Sequence, residues 1–447
     1  MFEATPLSAE EIVQLCKRHT IFEWAAQAGF APLTMVRAKG VFFWDANGKR
    51  YLDFNSQLMS VNIGHGDERV IRAIKEQADR MLYANPQMAT EPRARLGRMI
   101  SEIAPGDLNK SFFTLGGSES NENAIRIARL VTGRQKIIVR YRSYHGATAG
   151  SATLTGDPRR FGAEPGIPGV CRVLDPHHYR CGFCSDLPAC TLQCLRHVEE
   201  VVQYEGPQHI AAIMMETVTG TNGIIIPADG YLAGIRQLCD RHGILFILDE
   251  VMSGFGRTGK WFAANHWNVV PDIMTIAKGL TSSALPLGAV VMREKVASYF
   301  DQNFFYSGLT YNSHPMSCAA AIATLNVYAE DRLIENAERL GKVLAQELGE
   351  LKKRHRSVGD VRSIGLFSIV ELVKDRATKE PLVPYNPKGD QMATMNRLNA
   401  FFRESGLYTF IRWNNFFINP PLCITEEQLL EGLAIVDKGL KIVDESL

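Results

Sequence analysis

The chain has 447 residues, 46% apolar and 22% charged, with a formal net charge of +1. That is ordinary for a globular protein of two or three domains with a large core, and the near-zero charge leaves no footprint for nucleic acid or an anionic membrane. No apolar run approaches the roughly 20 residues that cross a bilayer, and the acidic start MFEATPLSAEE lacks the basic-then-apolar order of a signal peptide.

In chain order, a helix and a loop are expected up to about Phe30. A hairpin follows, with Val41–Asp45 and Lys49–Asp53 flanking the turn signal Ala46-Asn47-Gly48. Val70 to Leu82 has helical periodicity. Apolar strands then alternate with amphipathic helices to about residue 320. The strands are expected at Ser111–Thr114, Lys136–Arg140, Ile210–Glu216, Ile244–Asp249, Asp272–Ala277 and Gly288–Met292. Such alternation predicts βαβ units and a mainly parallel sheet. A long helical stretch, with room for a break, covers His314 to Leu340. Strands near Gly365–Leu372 and Phe416–Ile418 and closing helices make the tail a smaller α+β unit. There is no internal repeat and no low-complexity linker.

Two strand ends carry the chemistry. The run Ile244-Leu245-Phe246-Ile247-Leu248 stops in Asp249-Glu250, and Asp272-Ile273-Met274-Thr275-Ile276-Ala277 stops in Lys278-Gly279. Both read as buried parallel strands with an ionisable group at the carboxyl end, the edge where open α/β sheets bind ligands. A carboxylate and a lysine placed there suit pyridoxal phosphate. Lys278 would hold the aldehyde covalently, and Asp249 would keep the pyridine nitrogen protonated. Gly116-Gly117-Ser118 precedes a helical run, where glycine and a helix N-terminus can accept phosphate, although the same triplet also serves as a plain cap. Tyr144-His145-Gly146 follows the strand Lys136–Arg140 and could stack on a ring or simply line a loop. Thr310 precedes the long helix, where a hydroxyl reaches phosphate or caps.

Together these pieces resemble the class III aminotransferases, a fold-type-I pyridoxal phosphate family, over nearly the full chain. The motifs that carry the resemblance are Tyr51-Leu52-Asp53, Gly117-Ser118-Glu119-Ser120, Tyr144-His145-Gly146, Glu216 through Pro227, Asp249-Glu250-Val251, Gly254-Phe255-Gly256-Arg257-Thr258-Gly259, Ala277-Lys278-Gly279, Thr310 and Pro420-Pro421-Leu422. The resemblance implies a large α/β domain with a mainly parallel seven-stranded sheet (66–325). It also implies a smaller α+β domain (326–447) joined by the N-terminal segment (1–65). It assigns Lys278 and Asp249 to catalysis. Gly117 and Ser118 would hold the phosphate, Tyr144 and Val251 would pack on the two ring faces, and His145 and Glu216 would complete the cofactor site. Thr310 would reach the phosphate of a neighbouring subunit, which implies a homodimer or a dimer of dimers. The reaction implied is ping-pong transfer of an amino group from an amine or ω-amino acid to a keto acid. An aminomutase, racemase or decarboxylase on the same residues is the alternative.

Substrate residues are less distinct. Family members acting on 4- and 5-amino acids carry an arginine where this chain has Phe417. Arg412 resembles instead the mobile, carboxylate-binding arginine of the ω-transaminases, and its guanidinium would suit a sulfonate equally. Met59 stands where amine transaminases commonly have tryptophan. Phe22 and Trp24 are expected at the entrance. The Phe22-Glu23-Trp24 head and Arg412-Trp413-Asn414 tail look most like taurine and β-alanine transaminases.

The nine cysteines, an odd number, fit a reducing cytoplasm better than a disulfide framework. Cys181, Cys184, Cys190 and Cys194 have zinc-like spacing, with His177 and His178 before them. Cys190 and Cys194 are also spaced as helix packing would give. The expectation is therefore free thiols and no metal, with metal binding or cross-linking as the alternative.

Overall fold

The computed structural model describes residues 7–447. Residues 1–6, which hold part of the acidic start, lie outside that range. Among the described residues no helix is long and apolar enough to cross a membrane.

The centre is a seven-stranded sheet. Its spatial order is Leu108–Thr114, Gly288–Arg293, Ile273–Ile276, Leu245–Asp249, Ile210–Glu216, Lys136–Arg140, Val170–Val173. Gly288–Arg293 runs antiparallel to both neighbours, and every other pairing is parallel. The strand Val170–Val173 is additional to those expected. It is a short edge strand with only Val173 fully buried, so it has no apolar run to announce it.

Every residue of Ile210–Glu216 and Leu245–Asp249 is buried, because helices cover both faces of the sheet. Side chains alternate across it. Ile138, Ile213, Phe246 and Leu248 pack with Val198 and Val202 of the helix Gln193–Glu205 and with Ile235 and Leu238 of Tyr231–His242. Ile137, Val139, Met214 and Ile247 pack with Ala124, Ile127 and Ala128 of the helix Gly117–Thr132.

The long helical stretch is two helices, Pro315–Glu330 and Leu333–Arg354. Arg332 between them has φ +52°, outside the helical region. The tail then forms an antiparallel sheet from Val358–Ile364, Phe367–Asp375, Asn415–Ile418 and Ile411–Arg412. Near the N-terminus, Arg37–Lys39, Phe42–Trp44 and Arg50–Asp53 form a meander. Its last strand pairs in parallel with Leu407–Tyr408, tying the first segment to the tail. Arg257 sits where these parts meet. Its buried guanidinium donates to the carbonyls of Leu366 and Pro420, to Ser56 Oγ and to Asn62 Oδ1.

Candidate active site

The carboxyl edge of the central sheet opens into a cavity of about 200 Å³. Parallel register places Glu216 opposite Asp249 and Asp249 opposite Thr275. Three adjacent strands therefore end close to one level, and Lys278 opens the 3-10 turn two residues after the third. Lys278 has φ +47°, a left-handed backbone that costs a non-glycine residue on the order of 1–3 kcal/mol and persists where surrounding structure enforces it. Its amine shares the cavity wall with Asp249. Burial lowers the amine pKa to about 8 against the opposing pull of Asp249 and Glu216, so the neutral fraction at pH 7 is about a tenth, far above that of an ordinary lysine.

Asp249 is buried and held by three donors. Asn121 Nδ2 and His145 Nδ1 meet Oδ2, each at 2.8 Å, and the Val251 N–H meets Oδ1 at 3.0 Å. Asn121 is itself oriented by the Thr275 hydroxyl, which donates to its Oδ1 at 2.6 Å, and it also donates to the His145 carbonyl. Such a network fixes the carboxylate's orientation at the cavity wall. His145 is almost fully buried, with Nε2 free of any protein partner.

Glu216 accepts the backbone N–H of Tyr144 at 3.1 Å and of Gly220 at 2.7 Å. Burial raises its pKa. Among the described residues no guanidinium forms an ion pair with this carboxylate. At position 417, Phe417 packs with Met59, Val218, Ile224 and Met252 in a wholly apolar cluster.

Opposite the strand ends lies the N-terminus of the helix Gly117–Thr132. Its cap residue Gly116 is extended and contributes no side-chain bond, leaving the first-turn N–H groups available to an anion. A Cβ on Gly117 would lie 2.8 Å from Val251, and one on Gly146 would lie 2.5 Å from Ser118 Oγ. Both glycines keep the cradle open. Ser118 Oγ accepts the Ala147 N–H at 3.1 Å. A lysine amine, a buried carboxylate and a free helix N-terminus around one cavity match the aldehyde, ring nitrogen and phosphate of pyridoxal phosphate.

Of the residues singled out in the sequence, Trp24, Met59, Gly117, Ser118, Tyr144, His145, Glu216, Asp249, Val251 and Lys278 line this cavity. Phe22, Thr310 and Arg412 do not. Phe22 packs on Phe30. Thr310 lies on an exposed loop, its carbonyl accepting the Tyr83 hydroxyl. Arg412 stacks on Trp413, 4.2 Å from the ring centre, and pairs with Asp157 at 3.1 Å. Burial brings its pKa down to about 10, so it stays charged at neutral pH.

Sequence reasoning missed Arg159. Its guanidinium lies 3.6 Å over the Tyr144 ring, with Trp24 edge-on to Tyr144, and it bonds Asp157 and Thr221 Oγ1. Arg159 comes from the short 3-10 turn Pro158–Ala163, which has no periodicity to mark it. Asn121 was also missed, being one polar residue among Ser118-Glu119-Ser120-Asn121-Glu122-Asn123.

This arrangement belongs to a known family. Residues 24–440 match the class-III aminotransferases, and the chain belongs to that family of pyridoxal-phosphate-dependent transaminases. It is 41% identical to the crystallised taurine:2-oxoglutarate aminotransferase of Bifidobacterium kashiwanohense, solved with pyridoxal phosphate and glutamate. The two superpose with a TM-score of 0.94 over 99% of this chain and 100% of that one. It is 32% identical to the taurine–pyruvate aminotransferase of Bilophila wadsworthia, over 97% of this chain and 98% of that protein. It is 35% identical to the leucine/methionine racemase of Thermococcus litoralis, over 98% and 96% respectively.

Proposed function

We propose that this aminotransferase moves the amino group of an ω-amino acid with an anionic far end, such as taurine or β-alanine, to pyruvate or 2-oxoglutarate. The observation that carries the reading is the charge balance beside Tyr144. Two guanidinium groups, Arg159 and Arg412, converge on the single carboxylate Asp157. Arg159 is the member of the pair that lines the cavity. A guanidinium in a partly dry site pairs well with a carboxylate or a sulfonate. The similarity to taurine aminotransferases supports the same donor class.

Bound pyridoxal phosphate supplies an aldehyde that captures amines and a ring that accepts electrons from the substrate carbon. The rest is done by the chain. With the cofactor bound, Lys278, whose amine pKa burial lowers to about 8, would serve as nucleophile towards its aldehyde and as the base that carries the proton from the substrate carbon. Asp249, pinned by Asn121 and His145, keeps the ring nitrogen protonated. The N–H groups at Gly117 and Ser118 would take the phosphate. Tyr144 and Val251, both on the cavity wall, would bracket the ring. Glu216 fixes the Tyr144 loop against the strand end.

Residues 1–65 and 326–447 act as one small domain against 66–325. The working unit is a homodimer or a dimer of dimers, in which Thr310, remote from its own chain's cavity, reaches the phosphate of the partner.

The test is a donor panel of taurine, β-alanine, 4-aminobutyrate and 1-phenylethylamine against both acceptors. Acidic donors should dominate. A preference for the neutral amine would overturn the anionic-donor reading. A second reading, a racemase, is favoured by the similarity to the leucine/methionine racemase. It is distinguished by inversion of a single amino acid with no keto acid present.

A further inference from the structure

The short segment Ser56–Met59 brings a cluster of strained residues to the cavity. Ser56, Gln57 and Met59 have positive φ, at +48°, +56° and +51°, a region that residues other than glycine seldom occupy. Gln57 has φ +56° and ψ −96°, and Leu58 after it has φ −108° and ψ +48°. That is close to a type II′ turn, whose first central position is the usual place of glycine. Gln57 holds it with a full side chain. Strain of this kind persists only where the surroundings enforce it, and it gathers at functional sites.

The enforcing group is Asp53, whose carboxylate is fully buried. It accepts the Gln57 backbone N–H at 3.1 and 3.0 Å and Gln57 Nε2 at 2.9 Å. It also accepts the Asn55 N–H at 3.2 Å, and His65 Nε2 lies 2.9 Å from its Oδ2. Asn55 Nδ2 donates to the Gln57 carbonyl at 2.6 Å. Gln57 is therefore bonded at its N–H, its carbonyl and its side chain. Ser56 fastens the same turn to the domain junction. Its Oγ accepts Arg257 Nη2 at 2.9 Å and donates to the Asn419 carbonyl at 2.7 Å.

The turn delivers two side chains to the cavity, Leu58 and Met59. Met59 is buried in the apolar cluster with Phe417 and Met252. Leu58 is 39% exposed, an apolar side chain kept out of the core and on the cavity wall. Gln57 is not among the lining residues, so it acts on a substrate through these neighbours.

We propose that Gln57 is a positioning residue: its side-chain amide, bonded to Asp53, holds a glycine-type turn closed and so fixes Leu58 and Met59 as a contact surface for the substrate. The proposal stands whichever donor the enzyme prefers, because it concerns the shape of the wall and not its charge.

The test uses two neutral alkoxyamines, methoxyamine and O-benzylhydroxylamine. Both condense with the cofactor's aldehyde, and they differ in how far they reach into the cavity. Stopped-flow bleaching of the cofactor band in the holoenzyme gives a second-order rate for each. In Gln57→Glu the side chain cannot donate and sets a second carboxylate against Asp53, so the turn should open. The benzyl probe should then slow by roughly two- to tenfold, the usual effect of losing one hydrogen bond, while methoxyamine keeps its wild-type rate. Gln57→Gly should keep the wild-type ratio of the two rates. It should also melt no lower than wild type, with or without cofactor, because glycine adopts the turn without strain and its own N–H still reaches Asp53. If Gln57→Glu fails to fold, Gln57→Leu, which cannot donate either, carries the same comparison. The proposal is overturned if the non-donating variant keeps the wild-type ratio. It is equally overturned if both probes slow alike, or if Gln57→Gly loses the benzyl probe as the non-donating variant does.

Discussion

The two sides of the cavity are built differently. On the cofactor side, Glu216 and Asp249 end adjacent strands of one sheet, Lys278 opens the turn two residues beyond the next strand, and Asp249 has three donors in place. The other side is gathered from Trp24, Met59, the turn carrying Asp157 and Arg159, Thr221 and Phe410. Trp24 is 53% exposed there. Strand ends locked in register give fixed chemistry. Loops from distant segments give an adjustable wall. On the function proposed above, the common reaction would belong to the first side and the choice of substrate to the second.

The largest effect should come from breaking the first side. Lys278→Ala should abolish turnover, and borohydride should no longer fix the cofactor to the chain. Labelling of another lysine in the wild type, found by peptide mass spectrometry, would contradict the assignment. Asp249→Asn should fold and bind cofactor, yet lose about 2.7–4 kcal/mol of transition-state stabilisation, or roughly 10²–10³ in kcat. Near-normal turnover in that variant would remove Asp249 from the chemistry.

A pH measurement sharpens the same side. With the amine pKa lowered to about 8 by burial, the neutral form gains as pH rises through 8 rather than through the ordinary lysine range near 10.4. In protein stripped of cofactor, acylation of Lys278 should therefore climb through about pH 8 and level off above it. At pH 8 it should exceed that of solvent lysines by about a hundredfold. A curve still rising at pH 10 would mean that the amine is not desolvated.

The contrast also sets what could be read from the sequence. Ile210–Glu216 and Lys136–Arg140 have the bounds expected of them, because a continuous apolar run closed by a charged residue is a local signal. Lys278 and Asp249 were legible for the same reason. The pairing of Arg50–Asp53 with Leu407–Tyr408 is set by contacts more than 350 residues apart, so nothing local encodes it. Arg159 is in the same position, since its role depends on where Tyr144 and Asp157 meet in space. Arg412 was legible as a cation near the site. That it pairs with Asp157 and does not line the cavity was not.

On the substrate side the effects should be smaller and selective. Arg412→Ala acts through Asp157 and the placement of Arg159. It should raise KM for acidic donors by about 0.5–1.5 kcal/mol, the usual worth of one hydrogen bond, with kcat little changed. Steady-state kinetics with β-alanine would show it, and an equal fall in kcat would tie Arg412 to the chemistry instead.

Arg159→Ala tests the division between the two sides most directly. The measurement is single-turnover bleaching of the cofactor band by one acidic donor and one neutral amine. The acidic donor should lose about 1.5–3 kcal/mol of binding, or roughly ten- to hundredfold in apparent affinity, as a charge-assisted pair is removed. The neutral amine makes no contact with the guanidinium and should react as it does with the wild type. Equal slowing of both donors would contradict the account, because Arg159 would then serve the reaction common to all substrates.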